Sequence, residues 1–509
     1  MPARRERFAL GRPLALLAVA LVLAGCARSP VPADAPLEAF VAHLDAIVPP
    51  AMRSLEVPGV TVAIIRGGEP VWVGAYGLAD LDAGRPMTSD AVFHTGSISK
   101  SVTAWGAMRL VEQGRLGLDD DLSGLLRELL PGVELPGGHA ITLRQMLSHS
   151  AGAGLGPLGF EYAPDGPVPS LREALARDLA FARAPGTAFA YSNVGFDLVE
   201  LVIEEVSGRP FAAFMEDEVL RPLGMHGATF AWREADRPRV PAGHDLRGTP
   251  VAPYVYATRA SGGLFATVGD VARFVAASVS AGRPPAMDVL SVAGVEALHQ
   301  PVVPIPGVFG VVADAYALGH FTETLPDGRR AVWHGGQGHG WMTHVHALPA
   351  TGDGIVILTN SQRSWPLISR TMRDWATWTG AGAVKFGRII GGVGFVWALI
   401  ALIAAVSAWA AARLAIAVRR GRLRWAPLAR AGRFGRVLRG LVGLAGLAAL
   451  AWRASQPYLI ETSVFPGVAG WLGWALAALA AVVVLSAAFA PGAPCATPAR
   501  PDRRSARLV

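Results

Sequence analysis

The sequence predicts an α+β fold followed by a membrane domain, and three observations support this assignment. Strand signals lie near both ends of the region 36–376, and helix signals lie between them. This order predicts one antiparallel sheet flanked by helices, with the intervening helices forming a helical lobe. Apolar residues make up 52% of the 509 residues and charged residues only 17%, a composition typical of chains with membrane segments. Long apolar stretches after residue 380 predict a C-terminal bundle of about three transmembrane helices.

The elements of the first domain, residues 27–380, are predicted from apolar periodicity and from turn residues. A hairpin is expected around Gly67-Gly68, and further strand signals begin at Tyr316. The predicted strands are 60–66, 70–76, 316–325, 330–334, 341–348 and 354–359. Apolar residues at helical spacing predict helices at 97–112, 141–148 and 195–206.

Charge is distributed unevenly along the chain, although the net charge is +7. Residues 30–385 carry 26 basic and 36 acidic side chains, a net charge of −10, whereas residues 1–29 carry +4 and residues 386–509 carry +13. Nucleic-acid binding requires a basic stripe on the folded domain. We therefore expect no nucleic-acid partner, and the basic ends are explained by membrane orientation.

Residues 1–26 have the features of a secretory signal peptide. Four arginines precede the uncharged run 14–24, which is too short to span a bilayer comfortably. The run ends in Leu23-Ala24-Gly25-Cys26, which resembles a bacterial lipobox in which Cys26 would be lipidated. An uncleaved anchor with a chance cysteine is the alternative interpretation.

The membrane domain, residues 381–509, is predicted to span the bilayer at about 389–412, 440–460 and 468–490. Nine arginines fall between Arg413 and Arg439, and four more follow the last span. The positive-inside rule places both groups in the cytoplasm, so residues 27–380 face the periplasm or exterior. The predicted location is the bacterial cytoplasmic (inner) membrane. The spans carry no central acidic or histidine residue, so they are expected to anchor the protein.

The first chemical motif is Ser97-Ile98-Ser99-Lys100. On a helix, positions i and i+3 share one face, so the Ser97 hydroxyl and the Lys100 amine can meet. A helix N-terminus also favours the oxyanion formed in acyl transfer. The chain has only two lysines among its 46 basic residues, which favours a functional interpretation of this Ser-x-x-Lys spacing over an accidental one. Ser97 is the candidate nucleophile and Lys100 its proton partner.

Two further motifs follow. Tyr191-Ser192-Asn193 precedes a predicted helix, so Tyr191 can act as a second proton shuttle while Asn193 bonds Lys100 and a substrate carbonyl; alternatively, Asn193 is a helix N-cap. His334-Gly335-Gly336 ends a predicted strand, and its glycines would let a ligand lie against the strand edge. The following N–H, on Gln337, could complete an oxyanion hole with that of Ser97.

In this order and spacing the three motifs resemble the class C β-lactamase and D-alanyl-D-alanine carboxypeptidase family, which includes related esterases and D-aminopeptidases. The segments 143–152, 185–187 and 261–264 are also similar to that family. The resemblance covers about residues 36–376 and implies a β-lactamase/transpeptidase-like fold. It further implies that Ser97 is acylated, that Lys100 and Tyr191 move protons, that Asn193 positions the substrate, and that His334, Gly335 and Gly336 form the strand edge beside it.

One departure from the family affects the expected substrate. Members that hydrolyse penicillins usually have Lys-Thr-Gly at the third motif, whereas His334-Gly335 supplies neither a fixed charge nor a hydroxyl. This favours ester, amide or peptide hydrolysis of the esterase or D-aminopeptidase type over true β-lactamase activity. The expected partner is a small-molecule or peptide substrate, with cell-wall fragments among the candidates.

Two other interpretations of the sequence remain open. The same fold could be a non-catalytic or slowly turning-over receptor for penicillins or peptidoglycan fragments that signals through the membrane helices. Histidines at 334, 339, 344 and 346 raise the question of a zinc site, but the sequence near them offers no acidic or cysteine ligand. We therefore expect neither a metal nor an organic cofactor.

Overall fold

The computed structural model describes residues 31–492, apart from 34, 157–159, 280–288, 431 and 456–459. The predicted signal peptide and Cys26 lie outside the described residues. The chain divides after Gly391 into two compact units, which are described separately below.

Strands of the first unit form one large antiparallel sheet and two small ones. Their bounds are β1 Gly59–Arg66, β2 Glu69–Asp80, β3 Arg85–Pro86, β4 Phe93–His94, β5 Gly243–His244, β6 Pro250–Val251, β7 Phe265–Ala266, β8 Val303–Pro304, β9 Ala315–Tyr316, β10 Phe321–Thr324, β11 Arg330–Gly338, β12 Trp341–Leu348 and β13 Asp353–Thr359. The large sheet has nine strands in the order β3-β2-β1-β13-β12-β11-β10-β9-β8, while β4 pairs with β7 and β5 with β6.

Helices of the first unit mostly lie between β4 and β8 in the chain. Their bounds are α1 Leu37–Leu55, α2 Ile98–Glu112, α3 Ser123–Leu129, α4 Leu143–Leu147, α5 Leu171–Asp178, α6 Asn193–Ser207, α7 Phe211–Met215, α8 Val268–Ser278, α9 Val292–His299 and α10 Trp365–Trp378. A π-helical turn follows α7 at Glu216–Leu220, and 3-10 turns lie at Glu234–Arg239, Gly307–Val311 and Lys385–Gly387.

The centre of the large sheet joins the two ends of the first unit. β1 pairs with β13, and Val62 lies opposite Ile357. Both strands are buried along almost their whole length, so apolar β-branched residues occupy both of their faces. The predicted antiparallel sheet, built from the two ends of the domain around a helical lobe, is confirmed.

The two faces of this sheet meet different helices. On one face, Val345 and Val356 belong to the core that also contains Trp105 of α2 and Phe274 of α8. On the other face, the His346 ring lies 5.7 Å from that of Trp375 in α10. Because β12 and β13 are buried on both faces, they form a rigid support for the neighbouring strand β11 and its side chains.

The predicted strand 316–325 is wrong in one respect, because a turn divides it into β9 and β10. Gly319 has a φ of +77°, which a residue inside a strand does not adopt. The turn packs onto α2, where the Ser101 hydroxyl donates to the Gly319 carbonyl at 2.6 Å. A Cβ on Gly319 would lie 2.7 Å from that of Ala104. The close helix contact therefore interrupts the strand.

Two other boundaries differ from the prediction. Strand 330–334 continues to Gly338, because the 335–338 backbone pairs with β12, where Gly335 lies opposite His344. Helix 141–148 shortens to α4, since Thr142 caps its N-terminus in a reciprocal capping box with Gln145.

Three helices of the described chain are long and apolar enough to cross a membrane. They are Lys385–Arg419, Arg433–Ala454 and Val468–Ala487, with mean hydropathies of 2.6, 1.5 and 2.2. The first runs from the 3-10 turn into α11 Arg388–Arg419, and the others are α12 Arg433–Ala454 and α14 Val468–Ala487. The short helix α13 Ile460–Val464 and the strands β14 Leu423–Trp425 and β15 Phe489–Pro491 complete the second unit.

The middle apolar helix differs most from its predicted bounds of 440–460, since it begins at Arg433 and ends at Ala454. Arg436 extends the helix at its start by donating to the carbonyls of Ala426, Pro427, Ala429 and Ala487. Its guanidinium therefore satisfies carbonyl groups of the preceding loop and the carbonyl of Ala487 at the end of α14.

Candidate active site

Ser97 lies at the N-terminus of α2, in a segment that is otherwise buried. Residues 91–96 and 98–100 are buried, whereas Ser97 is partly exposed. The helix is buried on nearly all sides and so cannot shift without disturbing the core. Ser97 and Lys100 meet as the i, i+3 spacing predicts, with Lys100 Nζ 3.0 Å from Ser97 Oγ.

Two glycines bring β11 against the loop that enters α2. A Cβ on Gly336 would lie 1.9 Å from the Thr95 carbonyl oxygen, and one on Gly96 would lie 2.7 Å from the Gln337 backbone nitrogen. Gly96 also has a φ of +57°. The Thr343 hydroxyl of β12 donates to the same Thr95 carbonyl at 2.6 Å. Larger residues would push the strand away, so these glycines place the Gln337 backbone beside the segment that ends in Ser97.

Lys100 is fully buried and meets three oxygen atoms. Its Nζ lies 3.0 Å from Ser97 Oγ, 2.8 Å from Asn193 Oδ1 and 2.6 Å from the Ser261 carbonyl oxygen. Burial lowers the pKa of its ammonium below the ordinary 10.5, because a charge in the protein interior loses its hydration. Asp197 opposes this shift through its negative charge. The neutral amine is thereby favoured.

Tyr191 and Asn193 reach Ser97 and Lys100 from the start of α6. Ser192 is the N-cap of this helix, because its hydroxyl accepts from the Gly195 N–H at 2.8 Å. The alternative that Asn193 caps the helix is therefore wrong, and its amide oxygen faces Lys100. The Tyr191 hydroxyl lies near that of Ser97. Burial raises the pKa of the Tyr191 phenol, and the nearby Ser97 hydroxyl opposes that rise.

His334 is 1% exposed and lies inside β11. Its Nδ1 is 2.8 Å from the Gly335 carbonyl oxygen and therefore carries a proton, while Nε2 lies 2.9 Å from the Tyr316 hydroxyl. Burial and the nearby Lys100 lower the pKa of the ring well below 6.5. The neutral ring lies 6.4 Å from that of Tyr191. His334 thus supplies no fixed positive charge.

Sequence reasoning missed a buried acid beneath the site. Asp197 lies one turn after Asn193 on α6 and is 5% exposed. Asp197 Oδ1 has no hydrogen-bond partner among the described residues. Burial raises its pKa, and the nearby Ser261 hydroxyl and the Lys100 charge oppose that rise. The i, i+4 spacing from Asn193 is the local signal that could have identified it.

The loop that supplies the Ser261 carbonyl is held by a second buried acid. Glu200 Oε2 accepts from the backbone N–H groups of Arg259 and Ala260 at 2.6 and 2.8 Å. Burial raises the pKa of Glu200 to about 8, and the bond from Ala260 opposes this. The segment 261–264, noted in the sequence as family-like, is therefore a support for Lys100.

The other three histidines of the group noted in the sequence, at 339, 344 and 346, contact other side chains. His344 Nε2 is 3.4 Å from His346 Nδ1, and His346 Nε2 is 3.5 Å from Glu323 Oε1, an acid that the sequence did not place there. His339 pairs with Glu161 at 3.0 Å. Within the described ranges, no three His, Cys, Asp or Glu side chains are arranged to hold a metal ion.

Comparisons with known proteins identify the family of the chain. A profile of the Beta-lactamase family matches residues 44–377, more than half of the chain. The esterase EstB of Burkholderia gladioli is 32% identical over 226 residues, which are 42% of this chain and 57% of the esterase. The D-alanyl-D-alanine-carboxypeptidase/endopeptidase AmpH of Escherichia coli K12 is 28% identical over 317 residues, 60% of this chain and 80% of AmpH.

A solved structure supports the same assignment. The octameric penicillin-binding protein homologue from Pyrococcus abyssi superposes with a TM-score of 0.58 at 27% identity, covering 67% of this chain and 78% of that chain. The present chain spans less than two thirds of the length of the esterase EstB. The family resemblance and the fold predicted from the motifs are confirmed, and the chain belongs to the beta-lactamase family.

Proposed function

We propose that this protein is a membrane-anchored serine hydrolase that acts through an acyl-enzyme on Ser97. The surroundings of Lys100 carry this proposal. Two of its three partners, the Asn193 amide oxygen and the Ser261 carbonyl, can only accept hydrogen bonds. A neutral amine has two N–H groups for these acceptors, so its lone pair is left for the third partner, Ser97 Oγ. Lys100 is thus oriented to take the serine proton.

The reaction follows from these positions. Ser97 Oγ bonds to the substrate carbonyl carbon while its proton passes to Lys100, and the carbonyl oxygen takes up negative charge. The backbone N–H groups of Ser97 and Gln337 are the proposed donors to that oxygen. As the bond to the leaving group breaks, Tyr191, kept protonated by its raised pKa, donates its proton to the departing alcohol or amine and takes up the proton held by Lys100. Water then attacks the acyl carbon, one of its protons returns to Ser97 Oγ as the bond to the serine breaks, and the acid is released, while Asn193 positions the substrate.

We propose esters, or amides and peptides without a carboxylate near the scissile bond, as the preferred substrates. Recognition of a carboxylate needs a fixed positive charge, and His334 is neutral and hydrogen-bonded to Tyr316. Lys100, which contacts Ser97, is buried and assigned to proton transfer. The similarity to an esterase supports this preference, although AmpH is named for a carboxypeptidase activity.

A substrate panel tests this proposal on the full chain in detergent. We expect turnover of p-nitrophenyl esters or D-amino-acid p-nitroanilides to exceed that of a chromogenic cephalosporin and of a D-alanyl-D-alanine peptide. Ser97→Ala is the control and should remove all turnover above background. A wild-type protein that binds a cephalosporin covalently, but turns over none of the panel, would instead indicate the receptor function.

The membrane arrangement is also a proposal. It rests on the three apolar helices and on the arginines between 413 and 439. We propose that the first unit faces the periplasm or exterior, with lipid on Cys26 as a second anchor. Alkaline phosphatase fused after residue 380 should be active, and the same reporter fused after residue 430 should be inactive; the opposite pattern would overturn the topology. A fatty-acid analogue should label the wild type and not Cys26→Ala.

A further inference from the structure

His149 adopts a backbone conformation that a histidine rarely takes. Its φ is +57°, and Glu56 is the only other non-glycine residue with positive φ in the described part of the chain. Such a conformation costs about 1 kcal/mol or more and persists only where the surroundings hold it. His149 is 2% exposed and takes no direct part in the proposed chemistry. Its contacts show what holds it.

Two hydrogen bonds join His149 to the residues on either side of Tyr191. The His149 carbonyl accepts from the Ala190 N–H at 2.7 Å, and its side-chain Nδ1 accepts from the Ser192 N–H at 3.1 Å. One bond therefore uses the main chain of His149 and the other its ring. Together they fix the backbone immediately before and after Tyr191.

The His149 ring also supports the Tyr191 side chain. The two ring centroids are 4.2 Å apart, and on another side the His149 ring lies 4.5 Å from that of Tyr316. Because Nδ1 accepts a hydrogen bond, it carries no proton and the ring is neutral. Burial and the charge of Lys100 both lower the pKa of His149, which favours this neutral form.

We propose that His149 is a positioning residue that fixes the Tyr191 hydroxyl against Ser97, a role that rests on the proposed function of Tyr191. His149 acts through the backbone at 190 and 192 and through ring packing. Among the described residues, its side chain is hydrogen-bonded to the Ser192 N–H and not to Ser97. The positive φ is retained because both the carbonyl and Nδ1 of one residue must face the segment 190–192.

Two variants of His149 test the role of Nδ1 as hydrogen-bond acceptor, because both replacement residues tolerate a positive φ. His149→Asn keeps an oxygen in the place of Nδ1, whereas His149→Gly removes the acceptor and the ring without backbone strain. We expect His149→Gly to lose about 10²-fold in kcat with little change in KM, because a small misplacement of a catalytic group has this effect. His149→Asn should recover at least about tenfold of that loss, since it restores the bond to Ser192. Glu56→Gly and Glu56→Asn are matched controls and should leave kcat unchanged.

A double-mutant cycle with Tyr191→Phe separates this inference from the function on which it rests. The full chain in detergent is assayed with p-nitrophenyl butyrate, below the unfolding temperature of each variant. If His149 acts through Tyr191, His149→Gly should cost almost nothing in the Tyr191→Phe background. An equal loss in both backgrounds, or no difference between the Asn and Gly variants, would overturn the inference alone. Normal kcat for Tyr191→Phe would overturn the proposed role of Tyr191 itself.

Discussion

Lys100 at the start of α2 and Lys385 at the end of the first unit are the two lysines of the chain, and their surroundings differ. Lys100 is fully buried among neutral oxygen atoms, and no carboxylate of a described residue lies within ion-pairing distance of its Nζ. Lys385 is partly exposed, pairs with the Asp314 carboxylate and donates its backbone N–H to Glu323. One lysine lacks a counter-ion, and the other has one.

This difference shows that a lysine can act either as a proton acceptor or as a structural ion-pair partner, depending on its surroundings. A lysine without hydration or a counter-ion favours the neutral amine, which can accept a proton. A lysine beside a carboxylate forms an ion pair and serves as an attachment, here for the turn that leads into α11. The two lysines therefore differ in whether the oxygen atoms that contact the ammonium or amine carry a charge. Variants that change this charge test the comparison.

The largest effect is expected for Lys100→Arg. A guanidinium does not give up its proton in a protein, so it cannot accept the proton of Ser97. We expect kcat/KM to fall by at least about 10⁴-fold, close to the loss for Ser97→Ala, because groups that act as one unit are not additive. Steady-state ester hydrolysis measures this. A loss below about tenfold would exclude Lys100 as the base.

A smaller but still large effect is expected for Asn193→Asp, which gives Lys100 the counter-ion that Lys385 has. The new carboxylate should raise the pKa of Lys100 by about 1 to 3 units. Because the base must be neutral, the rise of kcat/KM with pH should move to higher pH by the same amount. The pH profile of ester hydrolysis measures the shift. An unchanged or acid-shifted profile would contradict the proposed surroundings of Lys100.

Asp197→Asn should act in the opposite direction and more weakly. Asp197 raises the pKa of Lys100, so its neutralisation should lower that pKa and move the rise of kcat/KM to lower pH by about one unit or less. The amide keeps the shape of the side chain beside Ser261 and Thr258. The pH profiles of Asn193→Asp and Asp197→Asn, measured with one ester, should therefore lie on opposite sides of the wild-type profile.

The smallest effect is expected for Lys385→Ala. Its ion pair with Asp314 is partly exposed, and such pairs contribute about 0–1 kcal/mol to stability. We expect kcat/KM to stay within about twofold of the wild type, since Lys385 takes no part in proton transfer. The same hydrolysis assay provides the comparison with Lys100→Arg. Equal losses for the two lysine variants would remove the distinction drawn between them.

The parts of the site that were predicted from the sequence depend on local spacing or on family motifs. The contact of Ser97 with Lys100 follows from i, i+3 geometry within one helix, so the sequence was sufficient. Tyr191 and Asn193 lie about a hundred residues away, and only the motif resemblance connected them to Lys100. The central pairing of the sheet was likewise expected, because apolar strand signals mark both ends of the domain.

Other features depend on contacts between distant segments, which no local pattern encodes. The Ser261 carbonyl is a backbone group held by Glu200, and a sequence does not identify which carbonyl faces a lysine. The break at Gly319 results from packing against α2, so the apolar run around it resembles a continuous strand. The choice of Ser192 as N-cap, which leaves Asn193 for Lys100, required the backbone conformation at the helix start.

Proton removal from Ser97 is measured most directly by the rate at which a fluorophosphonate modifies this serine. Intact-protein mass spectrometry over a pH series follows that rate. We expect one adduct per chain, located on Ser97 by peptide mapping and absent from Ser97→Ala. The modification rate should rise with pH and then reach a plateau. The midpoint of that rise should lie below 10.5, the ordinary pKa of a lysine. Lys100→Arg should show no such rise. Modification of another residue, or an unaltered rate profile in Lys100→Arg, would contradict the assignment of Ser97 as nucleophile and Lys100 as its base.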